Sequence, residues 1–282
     1  MEETSCWVCG GAAGPCAALT PLAFRQCRAC GFVFRPEVDE AATRAVYEGG
    51  AYEERGFAVD YAVDTTVDER RTNARVRLTW LLQHADGGRL LDVGAAGGAF
   101  VLEARDAGFD AFGVEPAPAF ARHARETLGV DVRDGRVEDL GLDDGSLDVA
   151  TMWHVLEHVP EPRGTLDAIR AALRPGGALV IEVPNLDSVA ARRMGVTWTH
   201  LDADVHVSQF TPPTLRALLE GAGFAVDDLH TVAHGIYLTR RERWAARHVA
   251  HRVQLSRGGA IGLRHPTRHE FLRAVARRPP AR

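Results

Sequence analysis

The chain has 282 residues, 46% of them hydrophobic and 25% charged, with a formal net charge of −5. Such averages fit a globular protein with room for one enzyme-sized domain and a small module, and they exclude wholesale disorder. No apolar run is long enough to span a bilayer, and the opening MEETSCWVCG has neither a basic n-region nor an apolar h-region, so a cytoplasmic protein without a membrane segment is expected.

Charge is unevenly spread. All 33 basic residues are Arg, which excludes Schiff-base or lysine-base chemistry. Residues 240–282 carry 12 Arg against Glu242 and Glu270, about +10, leaving about −15 on residues 1–239. An acidic body argues against non-specific nucleic-acid binding. The Arg-rich extension 240–282 reads as a solvated or helical end-piece, with contact to an anionic partner as the other account.

Residues 1–40 read as a zinc-binding module. Cys6-Trp-Val-Cys9-Gly10 and Cys27-Arg-Ala-Cys30-Gly31 are two C-x2-C pairs separated by 17 residues. Two thiolates at that spacing clasp one face of a tetrahedral ion, and the following Gly lets backbone N–H groups turn toward sulfur. A module this small buries too little apolar surface to fold unaided, so a structural Zn2+ is the natural staple. Free or disulfide-bonded thiols are the competing account. Cys16 is off-pattern.

Residues 41–85 read as a helical lid or linker, with Val76, Trp80 and Leu81 at helical spacing. From 86 to 239, apolar strands alternate with short helices: RLLDVG, FVLEARDAG, FDAFGVE, APAFARHARETLG, VDVRDG, LDVATMW, a helix from about Val155, GTLDAIRAALR and ALVIEVP. The alternation predicts an α/β, doubly wound, Rossmann-like parallel sheet. Residues 186–211 break it and are expected to form an insert over the carboxyl edge. The helix PPTLRALLEGAGF, opened by Thr211, then resumes it.

A small-residue loop, Asp92-Val-Gly94-Ala95-Ala96-Gly97-Gly98, follows the first of these strands and opens a helix, and Glu115 ends the next strand 21 residues after Gly94. Small residues let the backbone approach a ligand, and a carboxylate at that strand end suits two ribose hydroxyls. The loop is not G-x-G-x-x-G, which weakens a dinucleotide reading, while loop and acid together lead to the expectation of nucleoside binding.

LLDVGAAGGAF, GVEP, EDLGLDDGSLDVATMWHVLEHV and LRPGGALVIEVPN, in that order, resemble the successive motifs of class I S-adenosylmethionine-dependent methyltransferases over roughly residues 70–230. The Cys-rich start resembles the zinc-binding module that precedes this fold in some small-molecule methyltransferases. The resemblance implies that Gly94, Ala95 and Gly98 pass under the methionine part of the cofactor, with Asp92 at its amino group. It places Glu115 and Pro116 at the ribose, Arg136 and Val137 at the adenine, and Met152, Trp153 and His154 beside the sulfonium. Tyr47, Tyr52 and Tyr61 resemble lid tyrosines, with plain packing of an amphipathic helix as the other reading. Ala96 stands where the family often has Gly, and Arg136 where it often has Asp.

His154-Val-Leu-Glu157-His158 admits three readings. As a bare H-x-x-E-H it matches a metalloprotease signature, but that leaves the glycine loop and Glu115 unexplained. It resembles the E-x-x-E-H with which some quinone-pathway O-methyltransferases bind a cation, so His154, Glu157 and His158 could hold a second divalent ion. The third reading makes Glu157 and His158 structural while His154 faces the acceptor as general base, with His206 and then His200 of the insert as alternatives. The function expected is methyl transfer to carbon or oxygen of a small-molecule acceptor. A zinc-module RNA methyltransferase is the alternative, weakened by the acidic body and by Met152-Trp-His where an N/D-P-P-Y-like segment would stand. A non-catalytic cofactor-binding docking module is the other.

Overall fold

The computed structural model describes residues 4–37, 64–233, 263–265 and 268–280, the side chains of 64–70, 233 and 263–265 aside. Tyr47, Tyr52 and Tyr61 lie outside the described residues.

The N-terminal module is a small antiparallel meander of β1 (Thr4–Ser5), β2 (Ala12–Pro15), β3 (Arg25–Cys27) and β4 (Val33–Phe34). Its last strand does not end the sheet. From the insert, β10 (Ser208–Gln209) pairs antiparallel with β4, and Arg35 N–H donates to the Val207 carbonyl at 2.8 Å. Phe32, Phe34 and Phe210 are fully buried at this seam: Phe32 stacks on Phe34 with centroids 5.6 Å apart and packs tilted against Phe210 at 5.5 Å. The module thus shares its apolar interior with the main domain, which covers the surface that so short a segment could not bury alone.

The helix α1 (Asp64–Leu81) leads into the main sheet and buries Ala74, Leu78, Trp80 and Leu81. Its Arg71 and Arg75 bracket the buried Glu103 of the following helix α2 (Ala99–Asp106) at 2.5 and 3.0 Å. Five strands run parallel: β5 (Arg89–Val93), β6 (Asp110–Glu115), β7 (Val132–Asp134), β8 (Leu147–Trp153) and β9 (Leu173–Pro184). Their crossovers include α2, α3 (Pro118–Thr127) and α4 (Arg163–Ala172). The strands are almost continuously apolar because helices cover both faces, as a parallel sheet requires. This is the expected Rossmann-like α/β architecture. The insert carries α5 (Val189–Met194) and two single 3-10 turns, and α6 (Pro212–Gly221) follows, opened by a capping box between Thr211 and Thr214.

Two expectations are corrected. The extension 240–282 was expected to be a solvated or helical end-piece, yet Phe271–Arg277 forms β13, an interior strand pairing antiparallel with both β9 and β11 (Ala225–Ala233). With β12 (Leu263–His265) on the far edge, the order is β12-β11-β13-β9-β8-β5-β6-β7. Its arginines are spent on ion pairs: Arg273 meets Glu182 at 2.5 Å and Arg277 meets Asp227 at 2.7 Å. The helix expected from about Val155 is instead a 3-10 turn over Leu156–His158. His154 before it adopts φ +60°, a left-handed conformation outside the right-handed helical region. Among the described residues, no helix is long and apolar enough to cross a membrane.

Candidate active site

Two of the expected groups are assembled as the spacing implied. The sulfurs of Cys6, Cys9, Cys27 and Cys30 all lie within 4.8 Å of one another, with Cys6–Cys30 at 3.6 Å and Cys9–Cys27 at 3.5 Å. A zinc–sulfur bond of about 2.3 Å gives a tetrahedral edge of about 3.8 Å, so the quartet fits the ion closely. Val8 N–H points at Cys6 sulfur, and the N–H groups of Ala29 and Cys30 point at Cys27 sulfur, each at 3.4 Å. Burial opposes ionisation of Cys27, but those donors and the neighbouring thiols bring its pKa down to about 7. Gly10 and Gly31 follow the pairs at φ +72° and +76°, where a side chain would be strained.

At the carboxyl edge of β5, a cleft is lined by Asp92, Gly94, Ala95, Ala96, Gly97, Phe100 and Trp153. Gly94 has φ +68°, and a Cβ there would collide with Val155 of the turn after β8. Gly98 does not line the cleft. It opens α2 at φ +81°, and a Cβ would lie 2.7–2.8 Å from Val130 and Ala124, so its smallness serves the packing of α3 against the loop.

Asp92 is buried and accepts the Thr151 hydroxyl at 2.6 Å; burial outweighs this bond and the charge of Arg77, raising its pKa to about 7. Glu115 ends β6 with one oxygen accepting Ala96 N–H and the other Ala117 N–H, both at 2.9 Å, while burial raises its pKa. Each oxygen keeps a second lone pair for a hydroxyl donor. Pro116 follows it, exposed; Arg136 and the buried Val137 lie beyond β7, where Val137 opens a 3-10 turn.

The sequence reading missed Asn73 and Arg77, which α1 brings to the same cleft one turn apart. The Arg77 guanidinium lies 5.2 Å over the Trp153 ring and donates to Glu182 at 3.2 Å, yet its buried Nε has no partner. An i, i+4 polar pair on a helix preceding the glycine loop was the available signal.

His154 is held between two carboxylates. Its Nδ1 lies 3.2 Å from Glu157 Oε1 and its Nε2 lies 3.1 Å from Glu182 Oε1. Ionised carboxylate oxygens only accept, so two such neighbours favour hydrogen on both ring nitrogens, an imidazolium. Desolvation opposes the charge, but the two carboxylates win and raise the pKa. An imidazolium holds no lone pair, so this geometry suits His154 neither as the expected base nor as a ligand beside Glu157 and His158. Glu182, beneath it, is fully buried and gathers Arg77, Arg273 and His154.

Glu157 and His158 keep company with His206 instead. One donor atom from each lies within 4.8 Å of the others, and the two rings meet edge-on at 4.5 Å. His158 Nδ1 bonds the Val205 carbonyl at 3.2 Å, and His206 Nδ1 the His200 carbonyl at 2.9 Å. Burial above all, then the charge His206 would carry, depresses the His158 pKa to about 3. The His200 ring packs on Trp198 and Phe271.

A family model described as a methyltransferase domain matches residues 67–229, more than half of the chain. The chain belongs to the methyltransferase-domain family. In this methyltransferase-family chain, 156 residues align at 32% identity with a ubiquinone biosynthesis O-methyltransferase of Xanthomonas euvesicatoria, covering 51% of this chain and 65% of that protein. A Mycolicibacterium smegmatis protein named as a probable S-adenosylmethionine-dependent methyltransferase is 31% identical over 169 residues, covering 59% of this chain and 63% of that one. The chain thus spans just under two thirds of the length of these relatives. Among solved structures, a SAM-dependent methyltransferase of Thermotoga maritima shares the fold at a TM-score of 0.57 and 21% identity, covering 80% of this chain and 97% of the other.

Proposed function

We propose that the chain is an S-adenosylmethionine-dependent methyltransferase acting on a small-molecule acceptor at oxygen or carbon. The observation that carries this reading is the cleft at the β5 edge, where Asp92, the Gly94–Gly97 backbone and Trp153 face Arg77. Its chemistry matches a zwitterionic, cationic nucleoside. Asp92 suits the amino group, and the unpartnered Nε of Arg77 suits the carboxylate. Glu115 suits the ribose diol, and the Arg136–Val137 segment lies next in order for the adenine. Trp153 offers an aromatic face to positive charge.

The cofactor, when bound, supplies an electrophilic methyl on a sulfonium. The chain's own part is positioning and exclusion of water, which suffices for in-line transfer. Gly94, pressed by Val155, leaves backbone where a side chain would block approach. The imidazolium of His154, locked between Glu157 and Glu182, braces the end of β8 against β9. Proton removal from the acceptor then falls to His206, whose Nδ1 is bound to a carbonyl and whose lone pair is therefore on Nε2. The four thiolates would hold a structural zinc, with no open coordination position for substrate.

Calorimetry with S-adenosylhomocysteine tests the cofactor site, and a mass-shift screen of hydroxylated and enolisable small molecules with S-adenosylmethionine tests the reaction. Absence of cofactor binding to the zinc-loaded chain would remove the reading. The RNA alternative predicts methyl incorporation into tRNA or rRNA and binding that weakens with salt.

A further inference from the structure

Resting on the methyl-transfer reading, we propose that Glu182 is a positioning residue for the reaction: one buried carboxylate sets Arg77 and Trp153 at the cofactor cleft and His154 at the adjoining turn.

Stability does not account for a carboxylate at this position. Successive strand residues alternate between the faces of a sheet, so Glu182 of β9 shares its face with Val180, and Arg273 of β13 with Val275. Both valines belong to the apolar cluster that holds Trp80 and Trp153. Glu182 is 0% exposed there, and Arg273, directly opposite it in the β9–β13 register, is 6% exposed. Taking two charges out of water costs about as much as their attraction returns, and apolar side chains of similar volume commonly serve stability as well or better. An ion pair set into an apolar layer therefore points to a placement role.

What Glu182 places is a wall of the cleft. Its Oε2 accepts from Arg273 Nε at 2.5 Å and its Oε1 from Arg77 at 3.2 Å. The two guanidiniums lie 5.9 and 5.2 Å from the centre of the Trp153 ring, and Phe100 packs against that ring at 5.1 Å. Two like charges stay beside one indole because they share a carboxylate. Arg77, Phe100 and Trp153 all line the cleft, and the buried Nε of Arg77 has no partner. A guanidinium is a planar fork, so anchoring one arm on Glu182 fixes the direction of its remaining N–H groups before an anionic group arrives.

The same residue holds the turn after β8. Oε1 of Glu182 lies 3.1 Å from His154 Nε2, and the Glu182 carbonyl accepts His154 N–H at 2.8 Å. A backbone held at φ +60° persists only where its surroundings over-determine it, and here Glu182 does so from both main chain and side chain. Arg77 and His154 meet at one oxygen, so the geometry at the cofactor's carboxylate and the geometry of the turn are set together.

S-adenosylhomocysteine binding to the zinc-loaded full-length chain is measured by calorimetry in a double-mutant cycle. Glu182→Gln and Arg77→Gln should each weaken binding by roughly tenfold or more. Because Glu182 acts through Arg77, the double variant should lose no more than about threefold beyond Arg77→Gln alone. In turnover, Glu182→Gln should raise KM for S-adenosylmethionine and lower kcat about tenfold, whereas a merely structural glutamate would leave both constants of the folded fraction unchanged. If melting curves show Glu182→Gln unfolded, Glu182→Met combined with Arg273→Leu carries the test, since it removes both charges of the pair together. That variant should fold and still bind S-adenosylhomocysteine roughly tenfold more weakly than wild type. Affinity within twofold of wild type in a folded Glu182 variant, or fully additive losses in the cycle, overturns the proposal and leaves the cofactor reading intact. Failure of the apolar pair to fold overturns it too, by showing that Glu182 serves stability. A wild-type chain that binds no S-adenosylhomocysteine removes the cofactor reading and the proposal with it.

Discussion

Nε2 of His154 sits 3.1 Å from Oε1 of Glu182, the residue directly opposite Trp153 in the β8–β9 register. The same carboxylate accepts from Arg77 and Arg273, so one buried glutamate ties α1, the end of β8 and β13 together.

Replacing His154 with Gln should therefore act first on stability. It removes one cation from between two buried carboxylates, and breaking a buried pair costs about 3–5 kcal/mol. Urea unfolding should show that loss, while turnover of the folded fraction should fall far less than the 10²–10⁴-fold cost of deleting a general base. A stable variant that is catalytically dead would restore His154 as the base.

Cofactor affinity should depend on pH through Asp92. Its pKa stands at about 7 in the fold, raised by burial, and only the ionised form attracts an ammonium group. Binding should weaken as pH falls below that value, by up to about tenfold per unit, because a proton must leave before the cofactor docks. The stability sign is opposite: burying Asp92 costs least below its unfolded pKa of 3.8, and that advantage is lost as pH rises toward 7. In Asp92→Asn, affinity should be lower and its slope between pH 5.5 and 7 should vanish.

Glu115→Ala should weaken S-adenosylhomocysteine binding by about 1.5–3 kcal/mol, the scale of charge-assisted hydrogen bonds. Part of that loss arises within the protein, since Ala96 and Ala117 N–H groups lose their shared anchor. Calorimetry giving wild-type affinity would place the ribose elsewhere.

Ala96 holds φ +46° beside that anchor, where an L side chain is strained. Relief of left-handed strain is worth about 1–2 kcal/mol, and the looser unfolded chain of a glycine variant takes back about 0.4–1 kcal/mol. Ala96→Gly should raise stability by about 0.5–1 kcal/mol in thermal or urea melts and preserve cofactor binding.

Removing zinc from the thiolates should be felt at the acceptor side. The path is short: β4 pairs with β10, Val207 bonds the Glu157 carbonyl, and Phe32 packs against Phe210. Cys27→Ser is expected to increase hydrogen exchange at Val207 and His158 as well as within the module. Protection lost only within residues 4–34 would show that the seam transmits nothing.

The cysteine quartet and the glycine loop were legible because their chemistry depends on residue type at short spacing, and local geometry does the rest. The alternating strands were legible for the same reason, since continuous apolar runs have few other homes. What faces His154 was not legible, because sequence reveals a side chain but not the carboxylates beside its two ring nitrogens. Its partner Glu182 lies within the strand ALVIEVP, where nothing local marks a carboxylate as fully buried. The strand β13 was hidden by its arginines, which read as a hydrated tail until Asp227 and Glu182 accounted for Arg277 and Arg273. His206 joined Glu157 across 49 residues, a pairing that only the fold creates.

The late position of β13 in the chain has a bearing on biogenesis. It is the last of the described strands to be synthesised, yet it lies between β9 and β11, both made earlier. Until Phe271–Arg277 emerges from the ribosome, those two strands present bare edges that template wrong pairings. Glu182 meanwhile waits without its guanidinium from Arg273. Nascent chains halted short of this strand are thus expected to expose those edges to chaperones and proteases.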